Sequence, residues 1–139
     1  MGMTTSGAIW WNELQTSDEK AAIGFYTELI GWRTFQLSGL DSLKPADQAQ
    51  PVYTVWMKGW NQAGGMMQLN GEMETQLRPA WLPFIAVDDV DACAERAVEL
   101  GGAILRPPFD VENSGRFAVL RDPQGAVFGI GKPADYDNS

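Results

Sequence analysis

The sequence predicts an α+β fold built from two strand-helix-strand-strand-strand (βαβββ) modules in one chain. Two amphipathic helical segments of similar length each follow directly on a strand-like run. Short runs rich in β-branched and aromatic residues then follow each helix, separated by Gly and Pro punctuation. A step of seventy residues also carries Trp11, Asp18, Ala22 and Gly31 onto Trp81, Asp88, Ala92 and Gly101, so the same strand-helix unit recurs. The expected organisation is one domain over 1–139, with modules at 8–70 and 80–133 around a shared concave surface. A cleft of that kind is the natural place for a ligand.

The first module opens on the strand Trp10-Trp11-Asn12-Glu13-Leu14-Gln15, and Thr16 and Glu19 have the spacing of a capping box. Ala22, Phe25, Tyr26 and Leu29 mark one helical face, which Gly31 stops. Strands are expected at 32–37, 52–57 and 65–69, with a turn at Gly59-Trp60-Asn61-Gln62 and a polar stretch through Gln50. The second module opens on 81–87. Asp88 is its expected helix cap, Val90, Cys93, Ala94, Ala97 and Leu100 its apolar stripe, and Gly101 its stop. The stretch holding Pro107 and Pro108 reads as a loop. Strands follow at 116–120 and 126–130, joined by the tight turn Asp122-Pro123-Gln124-Gly125, and the tail from Lys132 reads as frayed.

Composition narrows the function classes. The chain is 45% hydrophobic and 20% charged, which suits a folded globular protein. A net charge of −8 repels phosphate backbones and anionic lipid heads, so nucleic acid and membrane surfaces are poor partners. Cys93 has no second cysteine to pair with, and no leader-like segment opens the chain, so a reducing cytoplasm is expected. The sequence contains no histidine. Ser-His-Asp and Cys-His nucleophiles, histidine-held iron and nearly all catalytic zinc sites are therefore excluded.

Trp11-Asn12-Glu13-Leu14, Phe25-Tyr26, Gly31-Trp32 and Asp122-Pro123-Gln124-Gly125, in this order and spacing, resemble the glyoxalase/bleomycin-resistance/dioxygenase group, the vicinal oxygen chelate superfamily, over roughly residues 8 to 133. The resemblance implies paired βαβββ modules curled into an open barrel-like cleft. In enzymatic members, one ligand from each of four strands holds a divalent metal. Carried over by position, those ligands fall on Trp11, Gln68, Leu82 and Gly129, and a single neutral amide does not hold a divalent ion. The expectation is no metal and no cofactor.

Strand alternation puts Trp11, Glu13 and Gln15 on one face of the first strand, which the resemblance turns into the cleft. The expected ligand-binding residues are Trp11, Glu13, Gln15, Trp56, Gln68, Leu82 and Phe84. Glu13, among aromatic neighbours, suits a general base or a partner for a cationic or hydroxyl-bearing ligand. Gln68 suits either a bond to a substrate carbonyl or the satisfaction of a nearby backbone group. Trp56 and Trp60 stay open, because a one-residue slip reverses the face. The function expected first is metal-independent binding of a small organic molecule, aromatic or cationic; the resemblance, whose members often dimerise, leaves a homodimer open. The alternatives are a cofactor-free lyase or isomerase using Glu13 as base, and an accessory or regulatory domain.

Overall fold

A computed structural model describes residues 6–36, 53–70, 77–111 and 114–134. The chain divides into two compact units: one is Asn12–Trp81, and the other joins Met1–Trp11 to Leu82–Ser139. The divisions fall inside two strands, β1 (Ile9–Thr16) and β5 (Ala80–Ala86).

The Asn12–Trp81 unit holds the C-terminal part of β1, helix α1 (Glu19–Ile30), β2 (Arg33–Gln36), β3 (Thr54–Lys58) and β4 (Asn61–Gln68). Its strands run in the order β2-β3-β4-β1, with β1 parallel to β4 and the other pairs antiparallel. The expected Thr16–Glu19 capping box does not form. Asp18 is the N-cap and accepts from the Ala21 amide at 3.0 Å, while the Thr16 hydroxyl accepts from the Asp18 amide. Gly31 ends the helix at φ 84, left-handed backbone that glycine adopts without a Cβ penalty. On the helix side of the sheet, Leu14, Trp56 and Met66 form a core with Ala22, Ile23, Tyr26, Trp32 and Ala63 packed against it. The expected turn shrinks to Gly59-Trp60, so β4 begins at Asn61, and Trp60 is 96% exposed. Leu37 through Val52, including the polar stretch, lies outside the described residues.

The other unit contains the rest of β1 and β5, helix α2 (Val90–Glu99), β6 (Ala103–Val111), β7 (Gly115–Arg121) and β8 (Val127–Pro133). Its order is β5-β8-β7-β6, again one parallel pair followed by antiparallel ones, so both units share a pairing scheme. The Gly7 amide donates to the Ala86 carbonyl and the Ala86 amide to that of Ala8, each at 2.8 Å. Val90, Ala94, Ala118, Leu120 and Ile130 make the core beneath α2.

Three expectations change here. The stretch with Pro107 and Pro108 is a strand, because β6 lies at the end of the strand order and its register shifts at Ile104/Arg106 and Arg106/Phe109 absorb residues that cannot donate. Lys132 and Pro133 belong to β8, and the Ala134 amide reaches the Ser114 carbonyl, so fraying does not begin at Lys132. The α2 cap is Asp89, which accepts from the Ala92 amide at 3.0 Å, not Asp88. The repeat step from Asp18 to Asp89 is thus seventy-one, and the sheets agree: Glu13 stands opposite Gly65 on β4 as Phe84 stands opposite Gly129 on β8. A step of seventy would turn every β5 side chain to the wrong face. The counterpart of Trp11 is therefore Leu82, not Trp81.

Arg116 on β7 donates to both carboxylate oxygens of Asp91 at 2.9 Å and to Asp110 at 3.0 Å. These hydrogen bonds hold the Asp91 carboxyl below its usual range. A depressed folded value makes the contribution full above the unfolded carboxylate value, about 4, and lost as pH falls through the folded one. Thermal melts between about pH 6 and pH 3 are expected to fall more gently for Arg116→Gln than for the wild type. The effect is small, since both partners face solvent.

Candidate functional site

On β1 the side chains alternate: Leu14 enters the helix-side core, which sends Glu13 and Gln15 to the helix-free face. Their cross-strand neighbours on that face are Gly65 and Met67 of β4, and Val55 of β3 stands opposite Gly65. Glu13 is 5% exposed and Gln15 1%. The Gln15 Nε2 amide donates to Glu13 Oε2 at 3.0 Å. A carboxylate acceptor requires the amide nitrogen on its side, so the orientation of Gln15 follows from the pair itself. Gln15 Oε1, turned away, is buried with no hydrogen-bond partner among the described residues. A buried carbonyl left unpaired costs on the order of 1–3 kcal/mol, and native structures keep few of them.

Two expected site residues stand on the other face. Trp56 is fully buried in the helix-side core, its ring centroid 5.3 Å from Tyr26 and 5.4 Å from Trp32. The register explains this: Trp56 pairs with Gly64, one position off the Val55–Gly65–Glu13 row. Gln68 likewise belongs to the row of Leu14 and Met66. Its Oε1 accepts from the Glu19 amide at 2.8 Å and its Nε2 donates to the Ser17 carbonyl at 2.6 Å, so it satisfies backbone groups at the start of α1. An amide forty-nine residues from the helix it caps leaves no local sequence signature. Gln68→Leu is expected to lower stability by about 1–2 kcal/mol in urea denaturation, as loss of a cap does.

Trp11, Leu82 and Phe84 belong to the other unit. Trp11 is half-buried, and Leu82 and Phe84 are buried. Phe84 lies on the helix-free face of its sheet, its ring edge-on to Trp10 and to Phe117, and Trp10 stacks on Phe117 at 6.2 Å. Trp10 thus lies over this aromatic face. The rings rest directly on glycine backbone. A methyl at Gly129 would come within 2.2 Å of Phe84, and one at Gly131 within 2.5 Å of Phe117.

The metal of the resemblance does not suit these residues. Because Gly65 and Gly129 occupy equivalent pairings, the register moves the β4 ligand position from Gln68 to Gly65. The four positions then read Trp11, Gly65, Leu82 and Gly129, with neither carboxylate nor imidazole. At Gly129 the ring of Phe84 fills the space a longer side chain would need. Among the described residues no group of three or more His, Cys, Asp or Glu could hold a metal ion.

The pairing scheme repeated in both units is that of a known superfamily. The chain belongs to the Glyoxalase/Bleomycin resistance protein/Dioxygenase superfamily, whose model matches residues 8–130. It is 34% identical over 120 residues to CFP32 of Mycobacterium tuberculosis, whose name assigns it provisionally to the glyoxylases; the match covers 86% of this chain and 43% of that protein. It is 36% identical over 126 residues to the anthracycline biosynthesis protein DnrV of Streptomyces peucetius, covering 89% of this chain and 41% of that one. The chain thus spans about two-fifths of the length of these curated relatives. Methylmalonyl-CoA epimerase of Streptomyces coelicolor, solved with 2-nitronate-propionyl-CoA, has the same fold at 15% identity, with a TM-score of 0.55 over 99% of this chain and 100% of that one. Among the described residues no helix is long and apolar enough to cross a membrane.

Proposed function

We propose that this protein binds a small organic molecule without a divalent metal, and that the ligand is held on the helix-free face of β1 at Glu13 and Gln15. The observation that carries the reading is the buried Gln15 Oε1, which has no hydrogen-bond partner among the described residues and is an acceptor that a bound molecule would satisfy. Three further points support it: no histidine is present, a ring fills the place of one family ligand, and the named relatives are assigned to small-molecule chemistry. Val55 and Met67 supply apolar contact around the polar pair, the usual composition of a ligand site.

Two measurements test the reading. Elemental analysis of dialysed protein is expected to find well under one equivalent of zinc, nickel, manganese or iron, and the melting temperature is expected to stay constant when these ions are added. Saturation-transfer NMR with a mixture of aromatic fragments is expected to reveal binders whose signals weaken in Gln15→Met. A full equivalent of tightly held metal, or signals identical in the variant, would overturn the proposal.

A further inference from the structure

We infer that two copies of this chain pair through the outer face of α1, the helices running antiparallel and crossing at Gly24. Ala22, Ile23 and Tyr26 pack on the core beneath α1, so the helical turn places Lys20, Gly24 and Glu28 on the side away from the sheet, with Phe25 on its flank. No residue of this helix is fully buried, and Phe25 and Leu29 are 58% and 65% exposed. Gly24 stands in the helix interior, where glycine is disfavoured, and a Cβ there would meet nothing within 4 Å. Packing within the chain does not call for glycine at this place, whereas close approach of a second backbone does.

The repeat supplies the comparison. At a step of seventy-one, α2 carries Glu95 and Arg96 where α1 carries Gly24 and Phe25. Arg96 pairs with Glu99, and Asp91, the counterpart of Lys20, pairs with Arg116, so charges on the outside of α2 are matched within the chain. Lys20 and Glu28 take part in no ion pair among the described residues. They are separated by about 12 Å along the helix, too far to pair with each other. Each lies four residues from Gly24, one on either side. An antiparallel crossing at Gly24 therefore sets Lys20 against the partner's Glu28 and Glu28 against the partner's Lys20, while Phe25 meets the partner's Phe25. A parallel pairing would oppose like charges, so the face complements a second copy of itself about a two-fold axis. Contact along a helix about 18 Å long covers less than the roughly 800 Å² per partner of a standard interface, and the dimer is accordingly weak. The surface is on the helix side of the sheet, opposite the face proposed for the ligand, and the inference stands whether or not a ligand binds there.

Sedimentation velocity on the whole chain, from about 5 to 500 μM, tests this. A monomer–dimer equilibrium with a dissociation constant of tens to hundreds of micromolar is expected, weaker at about 500 mM salt than at about 50 mM. Gly24→Glu should abolish the dimer while leaving the melting temperature of the dilute monomer equal or higher, since it replaces a poor helix former. Lys20→Glu alone and Glu28→Lys alone each set like charges together and should weaken association by at least about fivefold. The double swap should restore it, and Arg96→Ala on α2 should leave it unchanged. A chain that stays monomeric throughout the range would overturn the inference. So would a dimer that survives Gly24→Glu, which would put the interface elsewhere, or a double swap that associates no better than either single change.

Discussion

Trp56→Ala is expected to destabilise the protein by about 3–5 kcal/mol, the cost of deleting a fully buried indole from a packed core. The ring is held by Tyr26 and Trp32, and Leu14 and Met66 share its cluster, so the sheet face and the helix face both lose contacts. Trp56→Phe should cost much less. It keeps a ring and removes an indole N–H that is buried with no acceptor among the described residues, so part of the lost packing is offset by a relieved desolvation penalty. Urea denaturation with an unchanged m-value checks both variants. A stability change within about 0.5 kcal/mol for the alanine variant would mean that Trp56 is not a core residue.

Gly129→Ala is expected to cost about 1–3 kcal/mol, although it adds only a methyl group. That methyl would stand 2.2 Å from Cε2 of Phe84, a ring 2% exposed and braced by Trp10 and Phe117, so it cannot swing away without displacing its neighbours. The two positions should therefore be coupled. In a Phe84→Leu background the added cost of Gly129→Ala should fall by more than half, a non-additivity that a double-mutant cycle measures directly. Gly129→Glu, the substitution that would put a carboxylate at the family's ligand position, should be more destabilising still and should confer no metal binding on the melting curve. Additive costs at the two positions would show that the ring and the glycine do not share space.

Much of the fold was legible because it follows local rules. Both helices end where Gly31 and Gly101 interrupt an apolar stripe, and the tight turn at Asp122 forms as read, with the Asp122 carboxylate accepting from the Gln124 and Ala126 amides. The candidate site was legible in part. Alternation along β1 was enough to put Glu13 and Gln15 on one face opposite Leu14. The roles of Trp56 and Gln68 were not legible, since each depends on which of two faces a strand turns toward its helix, and a slip of one residue inverts that choice.

The sequence by itself determined the two-module α+β fold, the superfamily and the lack of imidazole ligands. These depend on periodicity, caps, residue order and composition, all of which are properties of the linear chain. Tertiary structure alone decided that the repeat advances by seventy-one residues, that Gly65 rather than Gln68 matches Gly129, and that Phe84 lies over that glycine. It also decided that Gln15 keeps a buried oxygen without a hydrogen-bond partner among the described residues. Each of these depends on register and close packing between segments distant in sequence, where a shift of one residue changes the neighbour of every side chain.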